Sequence, residues 1–260
     1  MGPGPLETAL RAQRDAGRKL LVPYVTGGLG DDWVDVVRAV ADAGADACEI
    51  GLPFSDPVMD GPTIQLASTR ALAAGATPES ILDALAGVDV GVPLVAMTYA
   101  NVIFRPGPAH FAQALAKAGI AGAIVPDLPV DELGEWADGA AAAGVEMVLL
   151  AAPTTPDDRM KVICERSQGF VYGVAVLGVT GERASLSASA ATMGARLKAC
   201  TDKPVLLGVG VSGPAQAVEA AAASDGVIVG SALVRRLLEG EGPKGAAAFV
   251  ASLRDGLDGV

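Results

Sequence analysis

The most constraining feature of this 260-residue chain is a regular alternation of short apolar runs with longer amphipathic segments. Eight runs rich in Val, Ile and Leu are each followed by turn residues: LLVPYVTGG, ACEIGLPF, LVAMTYAN, GAIVPDLP, MVLLAAPTT, FVYGVAVLG, PVLLGVGVS and GVIVGSA. The segments between them carry apolar residues at three- and four-residue spacing, which is typical of helices packed on one face. With about 30 residues in each strand–helix unit, this pattern predicts parallel strands joined by helical crossovers.

The number of units favours a closed barrel over an open sheet. Eight strands that are apolar on both faces indicate a buried parallel sheet, and this chain length suits an α/β fold of the (β/α)8 TIM-barrel type. A doubly wound open sheet is the alternative, but it more often carries an early GxGxxG turn, which this sequence lacks. An extra N-terminal helix is predicted over PLETALRAQRDAG, and a longer insertion at 53–75 follows the second strand. No linker-like change in composition occurs, so residues 1–260 are expected to form a single TIM-barrel domain.

The net charge restricts which partners the protein can bind, and the cysteine content indicates its cellular compartment. The formal net charge of −11 argues against binding to nucleic acid or to an anionic membrane surface, both of which require a basic footprint. The three cysteines are widely spaced and include no CxxC pair, which favours reduced thiols in a cytoplasmic protein. The chain opens without a basic and apolar leader, and no apolar run reaches the roughly 20 residues that span a bilayer. We therefore expect a soluble, cytoplasmic protein.

The positions of Lys and His disfavour two kinds of chemistry. In TIM barrels the reacting groups lie on the loops after the strands, while the opposite rim mainly serves stability. No Lys closely follows a predicted strand, which disfavours an aldolase that forms a Schiff base. His110 is the only histidine, so a zinc or iron site rich in His is disfavoured and no metal site is predicted. A magnesium ion held by carboxylates stays an open alternative.

Glu49 is an acid inside the apolar run ADACEIGLPF. Alternation along a strand puts it on the same side as the small residues Ala47 and Gly51. The opposite side carries the bulkier Cys48, Ile50 and Leu52, which we expect to face the helices. Glu49 then points into the barrel with room around it. No Arg or Lys on a nearby strand end could pair with it, which favours a catalytic role over a buried ion pair. Asp60 follows in a loop rich in Gly and Pro, where a catalytic role and a simple turn are equally compatible with the sequence.

Two glycine-rich stretches in the last two units predict a phosphate site. In LLGVGVSG, Gly208 and Gly210 would let the backbone approach a ligand closely. In GVIVGSALV, Gly230 and Ser231 open a helix whose free N–H groups would face the same point. Barrels build phosphate sites from these two loops and a short helix, although tight turns after strands also use glycine.

Three tyrosines and one polar loop are further candidates for substrate binding. Tyr24, Tyr99 and Tyr172 lie near the ends of the first, third and sixth strands, in a chain with only 4% aromatic residues. Together they could line a pocket for a flat substrate, although a single tyrosine is more often part of the core. The loop GVTGERASLS is either a lid, in which Thr180 supplies a hydroxyl and Gly181 a backbone donor, or an ordinary surface loop.

The segment CEIGLPFSDPVMDGPTIQ resembles the signature of the tryptophan synthase alpha subunit family. Further similar segments cover the whole chain: LVPYVTGG, MTYANVIF, VPDLPVDE, FVYGVAVLGVTG, GVGVS and DGVIVGSALV. The resemblance implies an eight-stranded barrel with an extra N-terminal helix. It also implies a lyase of tryptophan biosynthesis that cleaves indole-3-glycerol phosphate to indole and glyceraldehyde 3-phosphate.

The resemblance further implies roles for individual residues. Glu49 and Asp60 correspond to the two catalytic carboxylates of the family, and Tyr172 to a tyrosine beside the reacting glyceryl group. Tyr24 corresponds to an aromatic residue of the indole pocket, where many relatives have Phe. Thr180 and Gly181 correspond to the closing loop. The phosphate contacts correspond to Gly181, Gly210, Gly230 and Ser231. The positions that face the partner correspond to Asp56, Asn101 and Pro129.

The resemblance also bears on cofactors and partners. It implies no cofactor in this chain and an alpha2beta2 complex with the tryptophan synthase beta subunit, which would carry pyridoxal phosphate. This sequence departs from the family in three places: Val58-Met59 replaces Leu-Ala, Val209 replaces Phe, and Val176-Leu177 replaces Arg-Ala. None of these changes removes a reacting group, so we expect them to affect loop movement and coupling to the partner.

Three alternative functions stay open at this point. The first is a stand-alone indole-3-glycerol phosphate lyase. The second is another phosphate-binding enzyme barrel, such as a sugar-phosphate isomerase or epimerase, although these usually need metal-binding His or a differently placed acid–base pair. The third is a non-catalytic phosphate-binding barrel, against which the intact Glu49 and Asp60 argue.

Overall fold

Eight parallel strands form a closed barrel in chain order in the computed structural model, which describes residues 2–174 and 183–259. The strands are β1 (Leu20–Thr26), β2 (Cys48–Gly51), β3 (Leu94–Met97), β4 (Ile120–Ile124), β5 (Glu146–Ala151), β6 (Val171–Val174), β7 (Val205–Gly208) and β8 (Gly226–Val229). Pairing of β1 with β8, with Leu20 opposite Gly226, closes the barrel. The predicted TIM-barrel class and all eight predicted strands are confirmed.

Helices surround the barrel and follow the strands, as the amphipathic segments predict. In the described part of the chain they are α1 (Pro5–Asp15), α2 (Trp33–Asp42), α3 (Pro62–Ala73), α4 (Pro78–Leu85), α5 (Ala100–Phe104), α6 (Pro108–Lys117), α7 (Gly134–Ala143), α8 (Asp157–Arg166), α9 (Arg183–Lys198), α10 (Pro214–Ala221), α11 (Ser231–Leu238) and α12 (Gly242–Asp258). A short 3-10 turn spans Val130–Glu132. The insertion at 53–75 consists of a loop followed by α3, which Pro62 begins with its fixed φ.

The extra N-terminal helix α1 closes the barrel at the amino ends of the strands. Leu6 and Leu10 are fully buried and pack with the inward-facing side chains of the strands. Glu146 at the start of β5 holds the first turn of α1, because its carboxylate accepts hydrogen bonds from Leu6 N at 2.6 Å and Glu7 N at 3.1 Å. The predicted helix is confirmed, and it leaves the opposite end of the barrel open for a ligand.

The apolar core has an inner and an outer layer. The outer layer, between strands and helices, includes Cys48, Ile50 and Leu52, as the alternation of β2 predicts. Ala47 belongs to the inner layer, so Glu49 is on the inward side of β2.

The two lysines that precede strands form hydrogen bonds with backbone carbonyls at the end of the barrel away from the opening. Lys19 donates to Ala221 O and Ser224 O, both at 2.8 Å, and Lys203 donates to Cys164 O at 2.8 Å. Within residues 2–174 and 183–259, no helix is long and apolar enough to cross a membrane.

Candidate active site

A cavity of about 220 Å³ lies at the carboxyl ends of the strands. Its lining comes from all eight strands or the loops after them, together with α3 and α11. The lining residues are Tyr24, Glu49, Met59, Asp60, Gly61, Ile64, Met97, Pro126, Leu150, Tyr172, Val174, Gly208, Gly210, Ile228, Gly230 and Ser231. The two carboxylates, two of the three tyrosines and the described phosphate candidates are therefore brought together in one cavity.

Glu49 is the most unusual group in this cavity. Its side chain is only 1% exposed, and its Oε2 atom has no hydrogen-bond partner. Burial, and to a smaller extent the negative charge of Asp60, raises the pKa of Glu49 to about 8. The carboxyl group is therefore mainly protonated at neutral pH and stands ready to give up a proton. No Arg or Lys bonds to it, so the ion-pair alternative has no support in the described residues.

Asp60 differs from Glu49 because it has a hydrogen-bond donor. Tyr99 Oη donates to Asp60 Oδ2 at 3.0 Å, and the same hydroxyl accepts a hydrogen bond from Met59 N at 3.2 Å. Burial raises the pKa of Asp60, whereas the hydrogen bond from Tyr99 lowers it by stabilising the carboxylate. Gln65 Nε2 donates to Asp60 O at 2.9 Å, so α3 also holds the loop. These contacts hold Asp60 in place, and the hydrogen bond from Tyr99 stabilises its charged form.

Tyr99 does not line the cavity, unlike the other two predicted tyrosines. It lies two residues after β3 and is 3% exposed, with its ring stacked on Phe54 at a centroid distance of 5.0 Å. Its contact with the site is indirect, through the carboxylate of Asp60. No sequence pattern signals this arrangement, because Phe54 and Asp60 lie about 40 residues away on a loop whose path is not set by periodicity.

Tyr24 on β1 and Tyr172 on β6 occupy equivalent positions, because the ring of each covers a glycine on the following strand. Tyr24 is opposite Glu49 in the β1–β2 register, and its ring covers the inward side of Gly51. Tyr172 covers Gly208 in the same way, because a Cβ at Gly208 would lie 2.5 Å from the tyrosine hydroxyl. Burial raises the pKa of Tyr172 well above its ordinary value, and the charges of Glu49 and Asp60 add to this. Burial also raises the pKa of Tyr24, so both phenols stay neutral.

The end of the cavity near β7 and β8 offers backbone donors. Gly210 has φ +72°, in the left-handed region that favours glycine, and lies two residues after β7. Helix α11 begins at Ser231, and no side chain caps its first turn. Its first N–H groups lack partners within the helix and, with the positive end of the helix dipole, favour an anion such as a phosphate.

The residues predicted to face a partner lie outside the cavity. Asp56, Asn101 and Pro129 are all exposed, and Ser55 Oγ donates to Asp56 Oδ2 at 2.6 Å. Val58 is 79% exposed and Met59 is 59% exposed, directly before Asp60. Thr180, Gly181, Val176 and Leu177 fall outside the described residues, so their predicted roles stay predictions.

The sequence prediction missed the apolar walls of the cavity. Ile64, Met97, Leu150 and Ile228 line it without any distinctive motif. Alternation is the signal that could have found the strand residues, since Met97, Leu150 and Ile228 are on the inward side of their strands. Among the residues that the structure describes, no group of three or more His, Cys, Asp or Glu side chains could hold a metal ion.

Comparisons with known proteins give one consistent result. Residues 10–255 match the family model described as tryptophan synthase alpha chain. The alpha chain of a Cyanothece species is 41% identical over 98% of both chains, and that of Streptomyces coelicolor is 42% identical over 98% of this chain and 97% of its own. A tryptophan synthase structure from Mycobacterium tuberculosis matches with a TM-score of 0.90 and 37% identity, over 98% of this chain and 99% of that chain. An alpha-subunit structure from Legionella pneumophila matches with a TM-score of 0.89 and 30% identity over the full length of both chains.

Proposed function

The chain belongs to the tryptophan synthase alpha chain family and has the alpha-subunit role in tryptophan biosynthesis, and we propose that Glu49 and Asp60 carry out its cleavage of indole-3-glycerol phosphate. The products are indole and glyceraldehyde 3-phosphate. The comparisons do not favour the alternative barrels considered above. The observation that carries the assignment of the reacting groups is the buried, unpaired and mainly protonated Glu49, which shares a cavity with Asp60.

Glu49 acts as acid and then as base in this proposal. The protonated carboxyl group gives its proton to C3 of the indole ring, which forms an indolenine-like cation. The resulting carboxylate then takes the proton of the glyceryl hydroxyl, while the carbon–carbon bond breaks and its electron pair returns to the ring. Glu49 ends the cycle protonated, so the proton balance closes within one residue. A pKa near 8 suits a group that must both lose and regain a proton near neutral pH.

Asp60 stabilises the charge that develops during this sequence. As a carboxylate it accepts a hydrogen bond from the indole N–H, where positive charge grows when C3 is protonated. The hydrogen bond from Tyr99 supports this charged form and fixes its orientation. The indole ring itself takes up the electron pair of the broken bond, so the proposed steps need neither a Schiff-base lysine nor a cofactor in this chain.

The rest of the cavity binds the two ends of the substrate in this proposal. Gly210, Gly230 and Ser231 hold the phosphate through backbone N–H groups and the first turn of α11, with Gly181 as a further predicted contact. Tyr24 borders the indole ring, and Tyr172 lies beside the glyceryl group. Binding energy from the phosphate then positions the reacting atoms near Glu49.

Family membership implies a beta-subunit partner. We propose that the partner docks on the face that carries Asp56, Asn101 and Pro129, and that the assembly is an alpha2beta2 complex whose beta subunits hold pyridoxal phosphate. Exposed Val58 and Met59 lie on the same loop as Asp60, so docking there would further stabilise the position of the catalytic carboxylate. A cytoplasmic location is also proposed, because it suits the reduced, widely spaced cysteines.

The test is release of indole from indole-3-glycerol phosphate by the Glu49→Gln variant. We expect its kcat to fall by ~10²–10⁴, the usual worth of positioned proton transfer, while substrate affinity stays within a few-fold. Glu219→Gln is the control, because it removes the same kind of charge from an exposed position on α10. Turnover of Glu49→Gln close to that of the wild type would remove Glu49 from the mechanism.

The same assay separates the remaining alternatives. Indole release is expected to persist with a metal chelator and with borohydride, since no step uses a metal ion or a Schiff base. Loss of activity with either reagent would contradict the proposed chemistry. Adding beta subunit is expected to increase turnover, and a lack of stimulation would favour a stand-alone lyase.

A further inference from the structure

We propose that Gly51 is a positioning residue for the cleavage reaction. Because Gly51 has no side chain, the ring of Tyr24 can occupy the space beside it, and this packing holds Tyr24 at the edge of the cavity. The inference rests on the proposed function, since it concerns the pocket for the indole ring. It assigns a task to a glycine that neither lines the cavity nor has a reacting group.

The contact between Tyr24 and Gly51 is unusually close. The two residues are on adjacent strands, and the phenol reaches from β1 across to β2, two residues beyond its register partner Glu49. An alanine Cβ at Gly51 would lie 2.6 Å from Tyr24 Cε2, and closer still to Cζ and the hydroxyl oxygen. Real side chains do not approach so closely, so an alanine at position 51 and the observed Tyr24 ring exclude each other.

Neither strand can move easily to relieve such a clash. The backbone of Gly51 is held on both sides, because its carbonyl accepts from Gly27 N at 2.9 Å and the next N–H, that of Leu52, donates to Met97 O at 2.9 Å. Both β1 and β2 are internal strands of a closed barrel. The Tyr24 side chain would therefore have to change its rotamer.

The surroundings of Tyr24 leave one direction for that change. Away from β2, the side chain packs on Ile64 and Ala67 of α3 and on Val234 of α11. A Cβ at Gly230 would lie 3.6 Å from Tyr24 Cβ, so the start of α11 is already in contact range. The open side is the cavity of about 220 Å³, where the displaced ring would approach the space beside Glu49.

This displacement predicts a selective defect. A phenol turned into the cavity takes space from the flat ring of the substrate, whereas the phosphate end at Gly210 and Ser231 keeps its backbone donors. Ligands with an indole ring should therefore bind more weakly to Gly51→Ala, and glycerol phosphate, which lacks the ring, should bind as it does to the wild type.

The experiment combines Gly51→Ala with changes at Tyr24 and measures kcat/KM for indole release. We expect Gly51→Ala to lower kcat/KM by about tenfold or more, as overpacking of a rigid site commonly does. Phe at position 24 keeps the ring carbons that clash. Adding Gly51→Ala to Tyr24→Phe should therefore lower kcat/KM as much as adding it to the wild type. Leu lacks the Cε and Cζ atoms, so adding Gly51→Ala to Tyr24→Leu should change kcat/KM by less than about twofold.

Controls separate this inference from the proposed function. Gly213→Ala introduces the same methyl group into open space on an extended backbone and should match the wild type. Calorimetric titration with glycerol phosphate and with an indolylalkyl phosphate tests the selectivity. A wild type that releases no indole would overturn the proposed function, whereas an active wild type with a fully active Gly51→Ala variant would overturn only the role of Gly51.

Folding of the variants also gives a decisive result. If Gly51→Ala alone does not fold but the Tyr24→Leu double variant folds and matches Tyr24→Leu in activity, the clash with the ring is the cause and the inference stands. If Gly51→Ala is equally harmful in the Tyr24→Leu background, the glycine serves the backbone of β2 and the inference is wrong.

Discussion

The surroundings of the two carboxylates, at the residue scale, adapt them to different tasks. Among the residues that the structure describes, no donor bonds to Glu49 Oε2, and burial keeps this carboxyl group mainly neutral. Asp60 receives the hydroxyl of Tyr99, which opposes the effect of burial on its pKa. Burial raises the pKa of both acids, but only at Asp60 does a hydrogen bond to the charged form oppose that effect, so the two groups differ as an acid and an electrostatic stabiliser require.

The Tyr99→Phe variant tests this division through the pH dependence of kcat/KM. Activity requires Asp60 as a carboxylate and Glu49 as an acid, so it should fall at low pH and again as the pH rises through about 8. Phe keeps the stacking on Phe54 but removes the hydrogen bond that lowers the pKa of Asp60. We expect the acidic limb to move to higher pH, the alkaline limb to stay in place, and the maximum to fall by roughly tenfold, the worth of a hydrogen bond to a charged group. Movement of both limbs together, or of neither, would contradict the role of Tyr99.

Sequence could predict Glu49 but not the partner of Asp60, and the reason is physical. Period-2 alternation fixes which side of β2 Glu49 occupies, whatever the rest of the barrel does. Tyr99 meets Asp60 only because the 53–61 loop folds back over the end of β3, and turn-forming residues do not specify that path. A loop rich in Gly and Pro therefore leaves the role of Asp60 open, and only the family resemblance implies that it is catalytic.

At the element scale, strands and helices were predictable because their patterns are strong and local. The strands are largely buried on both faces, and most helices present one apolar face, so periodicity distinguishes them. The position of α1 under the barrel was not predictable in this way, since it depends on Leu6 and Leu10 filling the interior. Likewise, a glycine after β7 and a glycine before α11 indicated a phosphate site only because the fold brings the two loops together.

Helix α11 supplies a prediction at this scale through its uncapped first turn. Replacing Ser231 with Asp puts a negative charge where the proposed phosphate binds, and the carboxylate would also compete for the free N–H groups. Calorimetry should show affinity for glycerol phosphate weakened by at least roughly tenfold, since like charges at close range cost more than 1 kcal/mol in a partly buried site. Thr8→Asp is the control, because it adds the same charge to the first turn of α1 at the opposite end of the barrel. Unchanged affinity of the Ser231→Asp variant would mean that the phosphate binds elsewhere.

At the scale of the whole molecule, burial of the acid at position 49 makes this group reactive but lowers the free energy of unfolding as the pH rises. A carboxyl group whose pKa is raised from 4.5 in the unfolded chain to about 8 in the fold binds a proton more tightly in the folded state. Between these two pH values the folded protein holds a proton that the unfolded chain has lost, so the free energy of unfolding decreases as the pH rises. The contribution is fully present below pH 4.5 and is lost as the pH passes through about 8. The closed barrel tolerates this cost because most of its core is apolar.

The Glu49→Gln variant measures that cost, because Gln has nearly the same shape and does not titrate. At pH 5 the Tm values of variant and wild type should be similar, since Glu49 is protonated in the fold and only partly ionised in the unfolded chain. At pH 9 the variant should be more stable, by at least roughly 2–4 °C in Tm, which corresponds to about 1 kcal/mol in a domain of this size. Glu219→Gln, which changes an exposed side chain, should follow the wild type at both values. Equal Tm differences at pH 5 and pH 9 would mean that Glu49 titrates normally. In that case Glu49→Gln would lose activity without gaining stability from the removal of the acid.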